Sequence, residues 1–326
     1  MILNIEQNLL RKHPRIGFAE GAHPEVIKAA VRHENGGVII PVLIGDKKEI
    51  LKSAKEIDVD ISGVEIADAT NFPNKAEMVD EMITIQRGRW SKEECMEKLQ
   101  DLNYFSTMYL EAGYIDGLVG GVKATTAQTM RPALQLIKTA PQERIVSSCV
   151  LLERGEVVYI MGDCTLNVNP NVDELVEITL QCARTARQFG IEPKVGLLSY
   201  SSFGSGSGVS VDKVREAVTH LKRMPLDFEV DGEIQADTAI SPTVASIKAK
   251  GSTLAGHMNT LIFPNIDAGN ITYKIAVELG GFKMFGPILQ GLKKPVNILT
   301  RLTHEDTIYS IALITGIQAI EANRSV

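Results

Sequence analysis

The sequence predicts an α/β protein in which parallel or mixed sheets are covered by helices, and three observations support this fold class. Strand-like apolar runs alternate with helix-like amphipathic runs along most of the chain, a pattern typical of parallel strands joined by helical crossovers. The length of 326 residues favours two domains. A predicted hairpin interrupts the alternation after TAPQER, so we expect a domain boundary near that segment.

The alternation is clearest in the first part of the chain. Its predicted strands are RIGFAEG, VIIPVLIGD and IDGLVGG. Its predicted helices are HPEVIKAAVRH, KKEILKSAKEI and the helical part of ATTAQTMRPALQLIKTA. Pro24 falls in the first turn of the first helix, where a missing N–H group costs no hydrogen bond. These pairs predict successive units of a helix-covered sheet.

The rest of the chain begins with a hairpin and then returns to the alternation. IVSSCVLLERGEVVYIMGDC predicts two strands joined by the turn ERGE. VDELVEITLQCARTARQF predicts a helix that Asn171 caps at its start. The remaining predicted segments are a strand in TLIFPNIDAGN and helices in ITYKIAVELG and HEDTIYSIALITGIQAIEA. Because ligands of such sheets bind beyond the carboxyl ends of the strands, we expect site residues in the loops there.

Composition and charge argue against several functional classes. Hydrophobic residues make up 44% and charged residues 23% of the chain, which is ordinary for a globular protein. The net charge of −6 argues against nucleic acid and anionic membranes as main partners. The sequence has neither a membrane-spanning apolar run nor a signal-peptide core, so we expect a cytoplasmic protein. The four cysteines have no zinc-binding or C-x-x-C spacing, which predicts buried thiols in a reducing compartment.

A Gly/Ser loop, SYSSFGSGSG at residues 199 to 208, lies between a predicted strand and a predicted helix. Its spacing matches neither the dinucleotide fingerprint nor the P-loop nor the hydrolase elbow. Its backbone N–H groups and the helix dipole would favour an anion, which makes phosphate binding one interpretation. An ordinary βα loop is the alternative interpretation.

Charged residues near the predicted strand ends offer two kinds of chemistry. Acidic residues such as Glu20, Asp163 and Asp267 could hold a magnesium ion or could cap the helices that follow. Arg131 lies just inside a predicted helix, and an arginine fork suits phosphate oxygens. The run T-R-x-x-x-x-D places a hydroxyl, a guanidinium and a carboxylate before the last helix. For each arginine, a surface salt bridge is the alternative.

Six segments together carry a resemblance to a known family. They are, in chain order, TMRPALQLIKTAP, LSYSSFGSGSG, DGEIQAD, IFPNIDAGNITYKIAVELGG, GPILQGLKKPVN and LTRLTHED. They resemble the signature segments of the phosphate acetyl/butyryltransferases, and the resemblance extends from about GFAEG to the C-terminus. AGNITYKIA followed by GPILQGL is its most specific part.

The resemblance implies a fold and a reaction. The expected fold is two α/β/α domains with a cleft between them, similar to isocitrate and isopropylmalate dehydrogenases. Domain I would comprise residues 1–144 and 298–326, and domain II, residues 145–297, would be inserted in it. The expected reaction is reversible acetyl transfer between acetyl-CoA and phosphate, by direct thiolate attack in a ternary complex. It implies a homodimer, coenzyme A as a substrate, acetyl phosphate as the other product, no tightly bound cofactor and no metal.

The resemblance also assigns roles to individual residues. Asp306 corresponds to the base that takes the proton of the CoA thiol, Arg301 to the group that binds the acyl phosphate, and Thr300 supplies a hydroxyl beside it. Substrate or CoA binding is expected of a further set of residues, namely Arg87, Thr129, Arg131, Ser201, Ser202, Gly204, Ser205, Asn270, Tyr273 and Gln290. With no metal expected as a reactant, the magnesium interpretation of the acidic strand ends is dropped.

Four departures from the family pattern leave alternatives open. Gln86 stands where an arginine is expected, Ala124 where a histidine is common, Phe203 where a lysine is common, and Leu302 where glycine follows the arginine. Phe203 and Leu302 motivate an acyl group other than acetyl, such as propionyl, butyryl or a branched chain. The missing cations and histidine motivate a non-catalytic acyl-CoA-sensing domain as a third interpretation.

Overall fold

The structure, a computed structural model, describes residues 9, 12–299 and 303–322, and the chain divides into two compact units. The first unit comprises Met1–Gln142 and Leu292–Val326, and the second comprises Glu143–Gly291. The return to the first unit thus comes at Leu292, earlier than position 298 expected from the sequence. The reason is that residues 296–298 form a strand hydrogen-bonded into the sheet of the first unit.

The part of the first unit before residue 143 alternates strands and helices, with three helices in a row before its fourth strand. Its elements are β1 (Arg15–Phe18), α1 (Pro24–Gly36), β2 (Ile40–Gly45), α2 (Lys47–Glu56), β3 (Glu65–Asp68), α3 (Lys75–Ile85), α4 (Lys92–Lys98), α5 (Leu102–Glu111), β4 (Gly117–Gly120), α6 (Thr126–Pro132) and a π-helical turn (Ala133–Ile137).

The second unit begins with the predicted hairpin, and the chain then returns to the first unit for one strand and one long helix. The second unit contains β5 (Ser147–Arg154), β6 (Val157–Gly162), α7 (Val172–Gln188), β7 (Lys194–Leu198), α8 (Val209–Lys222), β8 (Glu229–Ile234), α9 (Ala236–Ile240), α10 (Pro242–Lys248), β9 (Thr260–Ile262), α11 (Ile266–Glu278) and β10 (Lys283–Gln290). The first unit is completed by β11 (Val296–Ile298) and α12 (Glu305–Ala322).

The sheet of the first unit is parallel throughout and has the strand order β11-β4-β1-β2-β3. In its central strand Ile16 and Phe18 are fully buried on one face, and Gly17 on the opposite face is buried next to the Ile44 and Ile115 side chains. Both faces are thus covered, as expected for a parallel sheet. α12 packs against α1 and β4 and is buried on nearly every face. The C-terminal helix is therefore part of the core of the first unit.

The sheet of the second unit is mixed, with the order β10-β5-β6-β9-β7-β8. β10, β5 and β6 are antiparallel to one another, and β6, β9, β7 and β8 are parallel. The α/β fold class and the hairpin expected from the sequence are thereby confirmed. Asn171 also caps α7 as expected, in a reciprocal capping box with Glu174.

The helix expected in ATTAQTMRPALQLIKTA differs from the prediction. α6 ends at Pro132, and the backbone continues as a π-helical turn in which the Lys138 N–H donates to the Ala133 carbonyl at 3.0 Å. Proline has no N–H group and therefore removes one bond of the α-helical ladder. The missing donor accounts for the end of the α-helical pattern at this position, and the π-helical form of the next turn depends on packing.

Gly269, in the first half of α11, lies close to the loop after β6. A Cβ atom at this position would lie 2.7 Å from the Asp163 carbonyl oxygen and 3.1 Å from Cys164 Sγ. The first of these neighbours is backbone and has little freedom to move.

Among the described residues, no helix has the length and apolar character needed to cross a membrane.

We expect Gly269→Ala to lower the free energy of unfolding of the second unit by about 1–3 kcal/mol, because the added methyl group overpacks a backbone contact. Gly63→Ala is the control, since its Cβ would lie 3.4 Å from the nearest atom, in the flexible Glu34 side chain. Urea denaturation of both variants measures the difference. Equal stability of the two variants would show that α11 is free to shift away from the loop.

Candidate active site

Asp306, the expected base, lies in the first turn of α12 with an 89% exposed side chain. The Arg32 guanidinium of α1 donates through Nη1 to Asp306 Oδ1 at 2.7 Å, and the same nitrogen lies 3.4 Å from Glu305 Oε1. Asp306 Oδ2 has no hydrogen-bond partner among the described residues. Sequence reasoning missed Arg32, because 274 positions separate it from Asp306 and no motif surrounds it.

The first turn of α12 is fixed to α1 by several further contacts. The Arg32 guanidinium carbon lies 3.9 Å from the centroid of the Tyr309 ring, and this ring stacks on His33 at 4.0 Å. The Glu305 N–H donates to Glu25 Oε2 at 3.0 Å. Burial lowers the pKa of His33 to about 3, so this ring is neutral at physiological pH. Arg32 therefore supplies the positive charge that contacts Asp306.

The other two residues expected at the reacting centre, Thr300 and Arg301, lie outside the described residues, as does Leu302. Their roles stay predictions.

The loop between β4 and α6 is organised by an internal carboxylate. Glu20 accepts four consecutive backbone N–H groups, those of residues 121–124, at 3.1, 2.6, 2.9 and 2.7 Å. Ala124, where the family pattern suggested histidine, contributes one of these donors. Glu20 thus occupies a nest of N–H groups that would otherwise attract an anion.

The loop leads into α6, which carries two of the expected binding residues. Thr125 caps α6 in a capping box with Gln128. Thr129 is buried, and its hydroxyl donates to the Thr125 carbonyl at 3.4 Å. Arg131 is exposed in the last turn, and no ion pair involves it within the described part of the chain. Arg131 is thus available to an anionic ligand, whereas Thr129 has a structural contact.

Arg87 and Gln86 occupy different environments although they are adjacent. Arg87 is exposed, with a left-handed backbone (φ 53°), and it too has no ion pair among the residues that the structure describes. Gln86 is buried, and its amide nitrogen donates to the Gln135 carbonyl in the π-helical turn at 2.6 Å. Gln86 therefore connects the end of α3 to this turn, and Arg87 is the exposed cation of the pair.

The Gly/Ser loop uses its own backbone donors. The five N–H groups of residues 202–206 all donate within the second unit. Their acceptors are, in order, Ser205 Oγ, the Glu233 carbonyl, Glu233 Oε1, the Ser202 carbonyl and Ser201 Oγ. A phosphate group would find no free N–H among these five residues, contrary to the binding mode expected from the sequence. The internal bonds instead give the loop a defined shape.

Glu233, at the end of β8, is the anchor of this loop. Its buried carboxylate accepts from the Ser201 hydroxyl, the Gly204 N–H and the Arg215 guanidinium. Burial alone would raise the pKa of Glu233, but the hydrogen bonds from Arg215, Gly204 and Ser201 outweigh it and hold the pKa below its usual range. The sequence offered a signal for this anchor in DGEIQAD, although it assigned no role to the glutamate.

Three further predicted binding residues lie in the second unit, and each has an internal partner. Asn270 donates its side-chain N–H to the Cys164 carbonyl at 3.0 Å. Tyr273 is half-buried against the core of this unit, and burial raises the pKa of its hydroxyl. Gln290 is buried, and it donates to the Gln181 carbonyl and the Thr185 hydroxyl. These contacts support the fold, so ligand binding by these residues remains a prediction.

The acidic strand ends hold loops. Asp163 is buried and accepts the backbone N–H groups of residues 165–167, as Glu20 accepts those of residues 121–124. Within the described residues, no cluster of three or more His, Cys, Asp or Glu side chains could hold a metal ion. The sequence had offered helix capping as the alternative to a metal, and these two carboxylates instead fix the loops that precede α6 and α7.

Fold and site together define a class: an enzyme of two α/β units, the second inserted in the first, with exposed arginines and a carboxylate held at the start of a helix. The family model "Phosphate acetyl/butaryl transferase" matches residues 1–316. The phosphate acetyltransferase of Bacillus subtilis is 39% identical over 316 residues, covering 97% of this chain and 98% of the relative.

Solved structures agree with this match. A phosphotransacetylase from Streptococcus pyogenes aligns with a TM-score of 0.94 at 38% identity, over 98% of each chain. The EutD phosphotransacetylase from Staphylococcus aureus aligns with a TM-score of 0.91, also at 38% identity and over 98% of each chain. The chain belongs to the phosphate acetyl/butaryl transferase family.

We expect Glu233→Gln to destabilise the second unit by about 2 kcal/mol at pH 7, because the buried carboxylate loses charge-assisted hydrogen bonds. A carboxyl group whose pKa is lower in the folded state stabilises fully above its unfolded pKa, and this contribution is lost as the pH falls through the folded pKa. Wild-type stability should therefore decline more steeply than that of the variant as the pH falls below about 4.5.

Thermal unfolding between pH 7 and pH 3 measures both effects. Glu216→Gln, which removes an exposed carboxylate from the neighbouring α8, is the matched control. Parallel pH profiles for wild type and Glu233→Gln would rule out the proposed anchoring charge.

Proposed function

We propose that this protein catalyses the reversible transfer of an acetyl group from acetyl-CoA to inorganic phosphate, which gives acetyl phosphate and CoA. Family membership over residues 1–316 supports the reaction class. The observation that carries the assignment of the base is the Asp306 carboxylate, which is exposed and held at one oxygen by Arg32. The hydrogen bond from Arg32 to Oδ1 also orients the second oxygen, Oδ2, which is then available to accept a proton.

In the proposed reaction, Asp306 accepts the proton of the CoA thiol, and the thiolate attacks the carbonyl carbon of acetyl phosphate. A C–S bond forms, the C–O bond to phosphate breaks, and phosphate leaves with the electron pair of that bond. In the reverse direction a phosphate oxygen attacks the thioester, and Asp306 returns the proton to the CoA sulfur. A free thiol has a pKa near ~8.5, so a base raises the thiolate fraction at neutral pH.

The anionic parts of the substrates require cations, and several exposed arginines of the described residues have no ion pair. Among them are Arg131 and Arg87, the two to which the family resemblance assigns substrate or CoA binding. We propose that Arg131 and Arg87 bind phosphate groups of CoA or the transferred phosphate, because a guanidinium fork matches phosphate oxygens. Arg301 would bind the acyl phosphate and stabilise the negative charge that develops on the carbonyl oxygen. Within the described residues, the carboxylates of Glu20 and Glu233 keep the neighbouring loops in shape without using Arg131 or Arg87.

We also propose a homodimer in a reducing, cytoplasmic setting. Ile271 and Ile275 of α11, with Leu279 directly after the helix, form an exposed apolar stripe, since they recur every fourth position and are 56%, 52% and 85% exposed. An exposed apolar stripe of this kind is typical of an interface between subunits. The four cysteines are free and buried, which supports a reducing compartment.

We expect Asp306→Asn to lower turnover of CoA with acetyl phosphate by about 10²–10⁴-fold, because an amide does not accept the thiol proton. Binding of CoA should be retained, since the substitution preserves shape. Asp173→Asn is the matched control, as it removes another exposed aspartate from the first turn of a helix. Thioester absorbance and CoA binding by calorimetry are the measurements.

The same assay with propionyl, butyryl and isobutyryl phosphate defines the acyl group. Highest kcat/KM with acetyl phosphate is the expected result. Higher kcat/KM with a longer acyl group would replace acetyl by that group in the proposal. A wild-type protein that binds CoA but turns over none of these substrates would instead be an acyl-CoA-sensing domain.

We expect Ile275→Glu to weaken the dimer, because it places a charge in the centre of the apolar stripe on α11. Ile247→Glu, at a 71% exposed position of α10, is the control. Light scattering after size exclusion, over a dilution series, measures the molecular mass. A monomeric wild type, or a dimer that Ile275→Glu leaves intact, would remove the stripe as the interface.

A further inference from the structure

We propose that Arg32 is a positioning residue that fixes the Asp306 carboxylate for its reaction with the CoA thiol. This inference rests on the proposed function, in which Asp306 is the base. It adds a residue that neither the sequence motifs nor the family resemblance pointed to, and it is carried by the juxtaposition of Arg32, Asp306 and Tyr309 where α1 meets α12.

The Asp306 side chain needs such a partner because little else restrains it. Its side chain is 89% exposed, and Arg32 is its only side-chain partner within the described part of the chain. An exposed aspartate without a partner would sample several rotamers at little cost. The 2.7 Å contact from Nη1 to Oδ1 selects one of them and leaves Oδ2 for the substrate. A base must lie within hydrogen-bond reach of the proton that it abstracts, so this selection bears directly on the rate.

Arg32 is itself held in place, as a positioning residue must be. Its guanidinium lies over the Tyr309 ring at 3.9 Å, a cation–π contact that restricts the plane of the guanidinium. Tyr309 is in turn fixed on α1 by the stacked His33 ring and by the hydrogen bond between His33 Nε2 and the Tyr309 carbonyl at 3.1 Å. The buried His33 of α1 therefore helps, through Tyr309 and Arg32, to hold the exposed Asp306 carboxylate in place.

The contact geometry also predicts which substitution rescues function. Arg32 meets Asp306 through one nitrogen and one oxygen, with no paired second bond to the same carboxylate. A lysine ammonium can supply one such bond as a point charge, although it cannot reproduce a bidentate fork. Lysine should therefore replace Arg32 in part, whereas glutamine should not.

The test uses the full chain and compares wild type, Arg32→Gln, Arg32→Lys, Asp306→Asn and the double variant Arg32→Gln/Asp306→Asn. Lys28→Gln is the matched control, because it removes another exposed cation from α1, one that pairs with Glu25 instead. We measure kcat and KM for CoA with acetyl phosphate, and the melting temperature of each variant.

We expect Arg32→Gln to lower kcat roughly 10- to 100-fold with KM for CoA nearly unchanged, since misplacing a catalytic group by about 1 Å costs up to about 100-fold. Arg32→Lys should recover much of this loss, and Lys28→Gln should match wild type. Because Arg32 acts through Asp306, adding Arg32→Gln to Asp306→Asn should cause no further loss.

Several outcomes would overturn the inference and are distinguishable from failure of the proposed function. Wild-type kcat in Arg32→Gln, or a double variant whose losses multiply, removes the positioning role while leaving Asp306 as the base. If Arg32→Gln does not fold, the test relies on Arg32→Lys and on the Lys28→Gln control. A folded Arg32→Lys whose kcat is as low as that of Asp306→Asn contradicts the inference. Full activity of Asp306→Asn, or no activity of wild type, contradicts the proposed function itself.

Discussion

The contacts between α12 and α1 hold the proposed base, Asp306, in position. α12 is buried on nearly every face in the first unit, so its first turn has a fixed position relative to the sheet. Arg32, His33 and Glu25 of α1 meet this turn through an ion pair, a stacked ring and a backbone hydrogen bond. The exposed Asp306 carboxylate thereby gains a defined orientation from residues that are not themselves proposed to react.

Internal carboxylates play a corresponding part in the loops. Glu20, Asp163 and Glu233 each accept backbone N–H groups of a loop beyond the carboxyl end of a strand. Asp163 and Glu233 are buried and Glu20 is partly buried, and each satisfies donors that would be costly to leave unpaired away from water. The N–H groups of residues 121–124 and 202–206 are therefore engaged by internal acceptors, which is why the proposed function assigns the phosphate groups to exposed guanidinium groups instead.

The sequence predicted the elements that depend on local pattern and missed those that depend on distant contacts. The β5–β6 hairpin and the Asn171 cap follow from alternation and capping chemistry, which are short-range signals. The π-helical turn after Pro132 could have been inferred from the missing proline N–H, but its helix type depends on packing. β11 and Arg32 could not be placed, because β11 is a three-residue strand and the partner of Arg32 lies 274 positions away.

Candidate site residues divide in the same way. Family motifs pointed to Asp306, Arg131 and the Gly/Ser loop, because these lie in recognisable segments. They did not indicate that the N–H groups of residues 202–206 are already used, since Glu233 accepts two of them from another strand and loop serines accept the other three. Gln290 shows the same limit, as its motif is recognisable but its buried bonds with Gln181 and Thr185 depend on tertiary packing.

Whether Asp306 takes the proton of the CoA thiol is tested most directly by the pH dependence of the turnover lost in Asp306→Asn. The ratio of wild-type to Asp306→Asn turnover would be measured from pH 7 to pH 9.5. A thiol with a pKa near ~8.5 ionises unaided across this range, so the account predicts that the ratio narrows by roughly ten- to thirty-fold. A ratio that stays constant with pH would contradict the assignment of Asp306 as the base.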